Sequence, residues 1–215
     1  MSLTRRQFAV GTAAATASVS MAWGAPAIAA SNASAYFNGT ITDHGFTFPR
    51  TNFASIKPRW KRQFVQFYSQ EPSGTVVVDT RNHFLYVIFA NKTALRYGVG
   101  VGREGFKWYG RAQILRKARW PRWVPPPEMR LRQPELPLAM EGGPKNPLGP
   151  RALYLYDGKR DLGYRLHGTT EPWSIGSDVS SGCIRMFPED VIDLYQRCPI
   201  GTRVLVLEHI ASNAG

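Results

Sequence analysis

The stretch Thr75-Val-Val-Val-Asp-Thr-Arg-Asn-His83-Phe-Leu-Tyr-Val-Ile-Phe-Ala90-Asn-Lys-Thr93 decides the fold. Residues 75–80 and 83–90 are runs of β-branched and aromatic side chains, and Arg81-Asn82 and Asn91-Lys92 leave room only for tight turns. Strands joined by two-residue connections can pair only antiparallel, so a meander is expected from Thr75 through Val101. Ala152–Asp157, Gly163–Leu166 and Arg203–Glu208 read as further strands. Pro188–Arg197 reads as the best helix: Pro188 suits the first helical position, Glu189 and Asp190 the positive helix end, and Pro199 stops it. Val191, Leu194 and Tyr195 stand at i, i+3 and i+4 and give it one buried face. Many short strands with one or two short helices predict a mainly β, β-rich α+β domain, folded over as a sheet or sandwich and carrying a long Pro-rich loop.

Outward from this centre the patterns weaken. Residues 30–74 lack periodicity and are expected to be a loose extension wrapping the core, with Trp60 and Phe64 tucked in among Lys57, Arg59, Lys61 and Arg62. Nine of the sixteen prolines lie between Pro121 and Pro150, so no central strand fits there. A connection this long is usually a lid or a disordered linker; the approach through Trp108, Tyr109, Trp120 and Trp123 favours a substrate-covering loop. Residues 2–8 place a twin-arginine pair before an Ala/Thr/Gly-rich stretch that ends at Ala27-Ile-Ala29. These are the parts of an export signal of the twin-arginine type, expected over 1–29. The expected domains are therefore the signal 1–29, the extension 30–74, a catalytic domain 75–208 and a tail 209–215. The 215 residues carry net charge +12, or +10 without Arg5 and Arg6, and this favours an anionic partner in the cell envelope or periplasm over nucleic acid. With only Cys183 and Cys198 present, a disulfide scaffold and a Cys-rich zinc site are excluded. His44, His83 and His209 share no metal-ligand spacing, so neither metal nor cofactor is expected.

The chemistry is concentrated in two short segments. His167-Gly168-Thr169 follows the strand ending at Leu166, and sixteen residues beyond His167 comes Cys183 in Ser180-Ser181-Gly182-Cys183-Ile-Arg185-Met. A thiol is strongly nucleophilic only as thiolate, and a nearby imidazole can take its proton. Gly182 lets backbone approach a substrate carbonyl. In an extended chain Arg185 shares a face with Cys183, where it could hold a substrate carboxylate and favour the thiolate. Cys198 is expected to pack rather than react. Asn146 and Trp173 fit either substrate contact or simple packing.

The array His167-Gly-Thr…Ser180-Ser-Gly-Cys183-Ile-Arg185-Met, with Gly143-Pro-Lys-Asn146-Pro-Leu-Gly149-Pro-Arg151 before it, resembles the L,D-transpeptidase catalytic domain (YkuD type) over about residues 75–208. The resemblance implies Cys183 as nucleophile, His167 as general base, Gly168 orienting the imidazole through its carbonyl, and Arg185 beside them. It further matches Ser180, Gly182 and Arg185 to positions that line the site, and Ser181, Thr169, Asn146 and Trp173 are read beside them as candidate substrate-lining residues. The implied partners are peptidoglycan stem peptides as donor and acceptor, a wall-anchored lipoprotein as another acceptor, and carbapenem-type β-lactams as inhibitors. One departure is Lys107-Trp-Tyr-Gly-Arg111, where the family often has Thr-Pro-x-Gly. Competing readings are an L,D-carboxypeptidase, a papain-like peptidase and a peptidoglycan-binding module without activity. The papain-like order, with cysteine early and histidine late, is the reverse of the one seen here.

Overall fold

A computed structural model describes residues 33–103, 108–180 and 182–208; the expected signal segment 1–29 and tail 209–215 lie outside them. The elements in chain order are β1 (Phe37–Asp43), β2 (Phe46–Thr51), β3 (Gln63–Gln66), β4 (Val76–Asp79), β5 (Phe84–Phe89), β6 (Thr93–Gly98), β7 (Val101–Gly102) and β8 (Gly110–Arg119). They continue with α1 (Pro127–Arg132), β9 (Arg151–Asp157), β10 (Arg160–His167), β11 (Asp178–Ser180), β12 (Ile184–Arg185), α2 (Pro188–Arg197) and β13 (Arg203–Val206). Nine strands form one sheet in the order β12-β10-β9-β8-β13-β4-β5-β6-β3. β4, β5 and β6 are the antiparallel meander read from Thr75 onward, in register Val76↔Val87 and Val87↔Leu95.

The apolar run of β4 explains its central place. Val76, Val77 and Val78 are all buried, as a strand covered on both faces requires. One contiguous core joins Leu95 of β6, Ile114 of β8, Leu166 of β10 and Ile184 of β12. Residues near both ends of the strand order share that core, so the sheet folds over on itself, and the mainly β reading holds. α2 runs over Pro188–Arg197 as its caps predict and sinks Val191 and Leu194 fully into the core. Burying each side chain of that size contributes roughly 1.5–3 kcal/mol.

One expectation needs correction, and one strand was not anticipated. The segment before Thr75 is not a loose extension. β1 and β2 form an antiparallel hairpin, and β3 is the last strand of the main sheet, paired with β6. Polar bonds hold the hairpin down: Arg151 donates to both carboxylate oxygens of Asp43 at 2.7 and 2.8 Å, and Glu189 accepts the Thr51 N–H and hydroxyl, each at 2.7 Å. Phe46 and Phe48 pack on Trp120 at 4.8 and 5.4 Å between ring centres. The unanticipated strand is β8, ten residues long, between β9 and β13. Its many charged side chains concealed it, because only Ala112 and Ile114 are buried along its length. The proline-rich stretch 121–150 contains no sheet strand; it holds the single-turn α1 and a bridge between Trp123 and Met140.

Candidate active site

β10 and β12 lie side by side and run parallel, in register Leu166↔Ile184 and His167↔Arg185. Side chains opposite one another in neighbouring strands share a face, so His167 and Arg185 project together. Cys183, two residues before Arg185, lies alongside the Gly163–Arg165 backbone. Its Sγ is 4.0 Å from the Gly163 carbonyl oxygen and also meets the Arg165 N–H, and neither of these partners is the His167 ring. The parallel pairing of a strand with the segment eighteen residues beyond it brings Cys183 opposite Arg165, two residues from His167 along β10. The main-chain bond from Met186 N–H to the His167 carbonyl, 2.8 Å, fixes the two segments together.

His167 is 5% exposed, and its Nδ1 lies 2.6 Å from the Gly168 carbonyl oxygen. A carbonyl only accepts, so Nδ1 carries the hydrogen and the neutral ring keeps its lone pair on Nε2. Burial first, and the Arg185 charge second, push the imidazole pKa down to about 3, against the bond to Gly168. Gly168 suits its place: a Cβ there would lie 2.9 Å from Pro150 Cδ and 3.2 Å from Val191 Cγ1. Cys183 is half-buried. Burial raises its pKa, while the Arg165 N–H and the charges of Arg165 and Arg185 pull it down and Asp161 raises it.

The turn before the thiol is held by Ser180, which is 5% exposed. Its hydroxyl donates to the Cys183 carbonyl at 2.5 Å and accepts the Gly182 N–H at 3.1 Å. Gly182 has φ +111°, a conformation that favours glycine. Of the residues read as substrate-lining, Ser180 thus shapes the turn, and Ser181 lies outside the described residues. Thr169 is buried and its hydroxyl accepts the Glu171 N–H at 3.0 Å. Asn146 is 1% exposed and is tied into the proline-rich loop. Its amide donates to the carbonyls of Pro121, Met140 and Glu141, and its Oδ1 accepts from Leu148 N–H. Trp173 packs edge-on against Tyr36 and Phe37. A cavity of about 60 Å³ between Phe37, Phe48, Trp120 and Pro150 borders Thr169 and Thr170.

Two side chains near the site, Arg165 and Glu171, were missed in the sequence, and Trp108 was read only as part of the approach to the proline-rich loop. Arg165, bound to both Asp161 oxygens at 2.7 and 2.9 Å, stands beside Cys183. Glu171 pairs with Arg185, Oε2 to Nη1 at 2.6 Å. Trp108 stacks on Tyr164. Alternation along β10 could have found Arg165, two residues from His167; nothing local in the sequence marks Glu171. Cys198 is free, 1% exposed and has its pKa pushed up to about 12 by burial.

Residues 73–206 match the L,D-transpeptidase catalytic domain family, YkuD. A putative L,D-transpeptidase from the ATP synthase subunits region of Fuscovulum blasticum is 40% identical over 98 residues, which is 46% of this chain and 49% of that one. The putative L,D-transpeptidase YqjB of Bacillus subtilis is 36% identical over 137 residues, covering 62% of this chain and 70% of that one. A Brucella melitensis crystal structure, titled a probable carnitine operon oxidoreductase, CaiA, is 48% identical, with 73% of this chain and 99% of that chain covered and a TM-score of 0.48. The chain spans about half the length of the first curated relatives it matches, 49% and 44%.

Proposed function

This chain belongs to the L,D-transpeptidase catalytic domain family, and from that premise we propose that it transfers peptidoglycan stem peptides through a thioester on Cys183. The observation that supports the reading is the parallel register of β10 with β12, in which Cys183 falls opposite Arg165, two residues from a histidine whose Nδ1 is anchored on the Gly168 carbonyl and whose Nε2 keeps its lone pair. The Cys183 sulfur attacks the carbonyl at the L-centre of the third residue of a tetrapeptide stem, a diamino acid. The thiol proton passes to His167 Nε2 as the S–C bond forms. The C–N bond to the terminal D-alanine breaks, that amine takes the proton from His167, and a thioester remains. A side-chain amine of a second stem then attacks the thioester; the S–C bond breaks, an amide forms, and the amine's proton returns through His167 to the sulfur.

Local backbone supports charge stabilisation. Ser180 already takes the Gly182 N–H, so the Cys183 N–H is the donor of this turn assigned to the developing oxyanion; one such donor contributes about 2.7–4 kcal/mol in comparable sites. The resting thiol is half-buried rather than sealed, which favours hydrolysis to a tripeptide as the second reading. Attachment of a lipoprotein uses the same acyl-enzyme with another amine, and carbapenems would acylate the same sulfur. The twin-arginine segment near the start of the chain supports export to the periplasm. Incubating purified muropeptides with the wild-type and Cys183→Ser proteins, followed by mass spectrometry, tests the proposal. Cross-linked dimers from the wild type alone are expected. Tripeptide without dimers would establish the hydrolase, and no product from either protein would reject both.

A further inference from the structure

His167 pairs with Ala152 near the start of β9. Toward the other end of β9, four adjacent strands present a level row of polar side chains. Arg203 of β13 pairs with Gln113 of β8, and Gln113 pairs with Tyr156 of β9. Val204 pairs with Val76 of β4, so Thr75, one residue earlier, stands level with Arg203. The chain neighbours Val76, Val204, Ala112 and Leu155 all belong to the core. Alternation therefore turns Thr75, Arg203, Gln113 and Tyr156 to the opposite, outer face of the sheet. There they line a cavity of about 220 Å³, whose wall also includes Arg111 and Asp157.

The charges around this row are already matched. Arg111 donates to both Glu71 carboxylate oxygens at 2.9 and 2.7 Å, and Arg160 donates to Asp157 at 3.2 Å. The row itself is not: among the described residues none of its four side chains has a hydrogen-bond or ion-pair partner. Thr75 is 1% exposed, and its orphaned hydroxyl is of the kind that costs free energy until a partner arrives. We propose that this cavity is a second binding site, for a hydroxylated carboxylic acid of about monosaccharide size. The Arg203 fork takes the carboxylate through two parallel N–H···O bonds. Gln113, Tyr156 and Thr75 exchange hydrogen bonds with the ligand's hydroxyls. One uncommitted guanidinium balances one negative charge, and Glu71 and Asp157 nearby oppose a second, so a monocarboxylate fits better than a phosphate dianion. The volume lies below the roughly 300–1,000 Å³ of pockets for drug-sized ligands, which excludes a peptide strand. The site shares no side chain with the Cys183 centre, and the inference stands independently of the transpeptidase reading.

Calorimetry of the purified protein with four probes tests the assignment. Glucuronate carries the carboxylate and the hydroxyls, glucose the hydroxyls alone, acetate the carboxylate alone, and glucose 6-phosphate a dianion in its place. Glucuronate is expected to bind with a Kd of about 1 mM or tighter. Its affinity should exceed that of each other probe by about tenfold or more, the size of a hydrogen bond to a charged group. Arg203→Ala should weaken glucuronate binding about ten- to hundredfold, and Arg203→Lys, which keeps the charge without the fork, should fall between. Thr75→Val, alike in shape but without the hydroxyl, should weaken it about threefold or more. Arg81→Ala removes the same charge from an exposed position beyond the end of β4 and should leave the affinity unchanged. No saturation by about 10 mM glucuronate would overturn the proposal, as would equal affinity for acetate or for glucose 6-phosphate. Equal losses from Arg203→Ala and Arg81→Ala would overturn it too, reducing the effect to net charge. A loss from Arg185→Ala with none from Arg203→Ala would place the carboxylate beside Cys183 and not in this cavity, with the same consequence.

Discussion

Burial acts on Cys183 and His167 in the same sense. It raises the pKa of the thiol and lowers that of the imidazole to about 3, so near neutral pH both groups are uncharged. A preformed thiolate–imidazolium pair would need the opposite shifts. In the proposed mechanism His167 would therefore act as a base only when substrate arrives, and the sulfur on its own ionises late. Alkylation of the free protein by iodoacetamide should climb through and beyond the ordinary thiol pKa of 9.0 without a plateau at neutral or acid pH. Cys198, buried and with its pKa near 12, stays unlabelled in the folded protein, so mass spectrometry of the intact chain reads Cys183 alone. A fast, pH-independent rate from pH 5 to 7 would contradict the neutral pair. The pairing of the His167 and Cys183 segments and the bond from His167 to the Gly168 carbonyl were legible because these residues lie in contiguous motifs. Glu171 was not, since its role depends on a short irregular turn through Pro172–Ser174 that carries its carboxylate across to β12.

The meander and α2 were read correctly because each announces itself locally: two-residue turns between apolar runs, and a proline-led amphipathic helix. β8 and the β1–β2 hairpin escaped because their apolar content is thin and what secures them is non-local. Asp43 has its pKa lowered chiefly by its hydrogen bonds to Arg151, with burial opposing. A depressed carboxylate contributes stability above its unfolded value of 3.8 and loses it as the pH falls below that. Asp43→Ala strands the guanidinium of Arg151, which is 4% exposed, and should cost about 3 kcal/mol at pH 7. The difference from wild type should shrink below pH 3, as read by urea denaturation at both pH values. A cost unchanged on acidification would assign the loss to packing on Trp120 and not to the ion pair. The proline-rich element makes a separate prediction. Val124, Leu131 and Leu138 stand 56%, 84% and 72% exposed on it, an apolar surface without cover among the described residues. Deleting 126–140 should shift product from cross-links to hydrolysed tripeptide, if this loop limits water near the thioester. An unchanged product ratio would reject a shielding role.

Across the whole molecule, charge is the property that sequence alone determines, and its consequence is long-ranged. The 27 basic and 15 acidic side chains leave +12, and removal of a segment containing Arg5 and Arg6 would still leave +10. Much of that charge is committed locally: Arg111 to Glu71, Arg165 to Asp161, Arg185 to Glu171 and Arg197 to Asp193. Each such pair is neutral, so the surplus resides on side chains that face solvent, among them Arg59, Lys61 and Lys92. Attraction of that kind to a polyanion reaches about 10 Å in 0.1 M salt and about 3 Å in 1 M salt. Such attraction would concentrate the chain near an anionic polymer without orienting it, whereas contacts within the candidate site act at short range and are less screened. The two effects therefore separate with ionic strength. Sedimentation of the Cys183→Ser protein with purified sacculi should fall steeply between about 0.05 and 0.5 M salt, while its calorimetric affinity for a short stem peptide declines only a little over the same range. If both fall together, surface charge rather than the site governs recognition. If neither falls, the net charge has no part in bringing this chain to the wall.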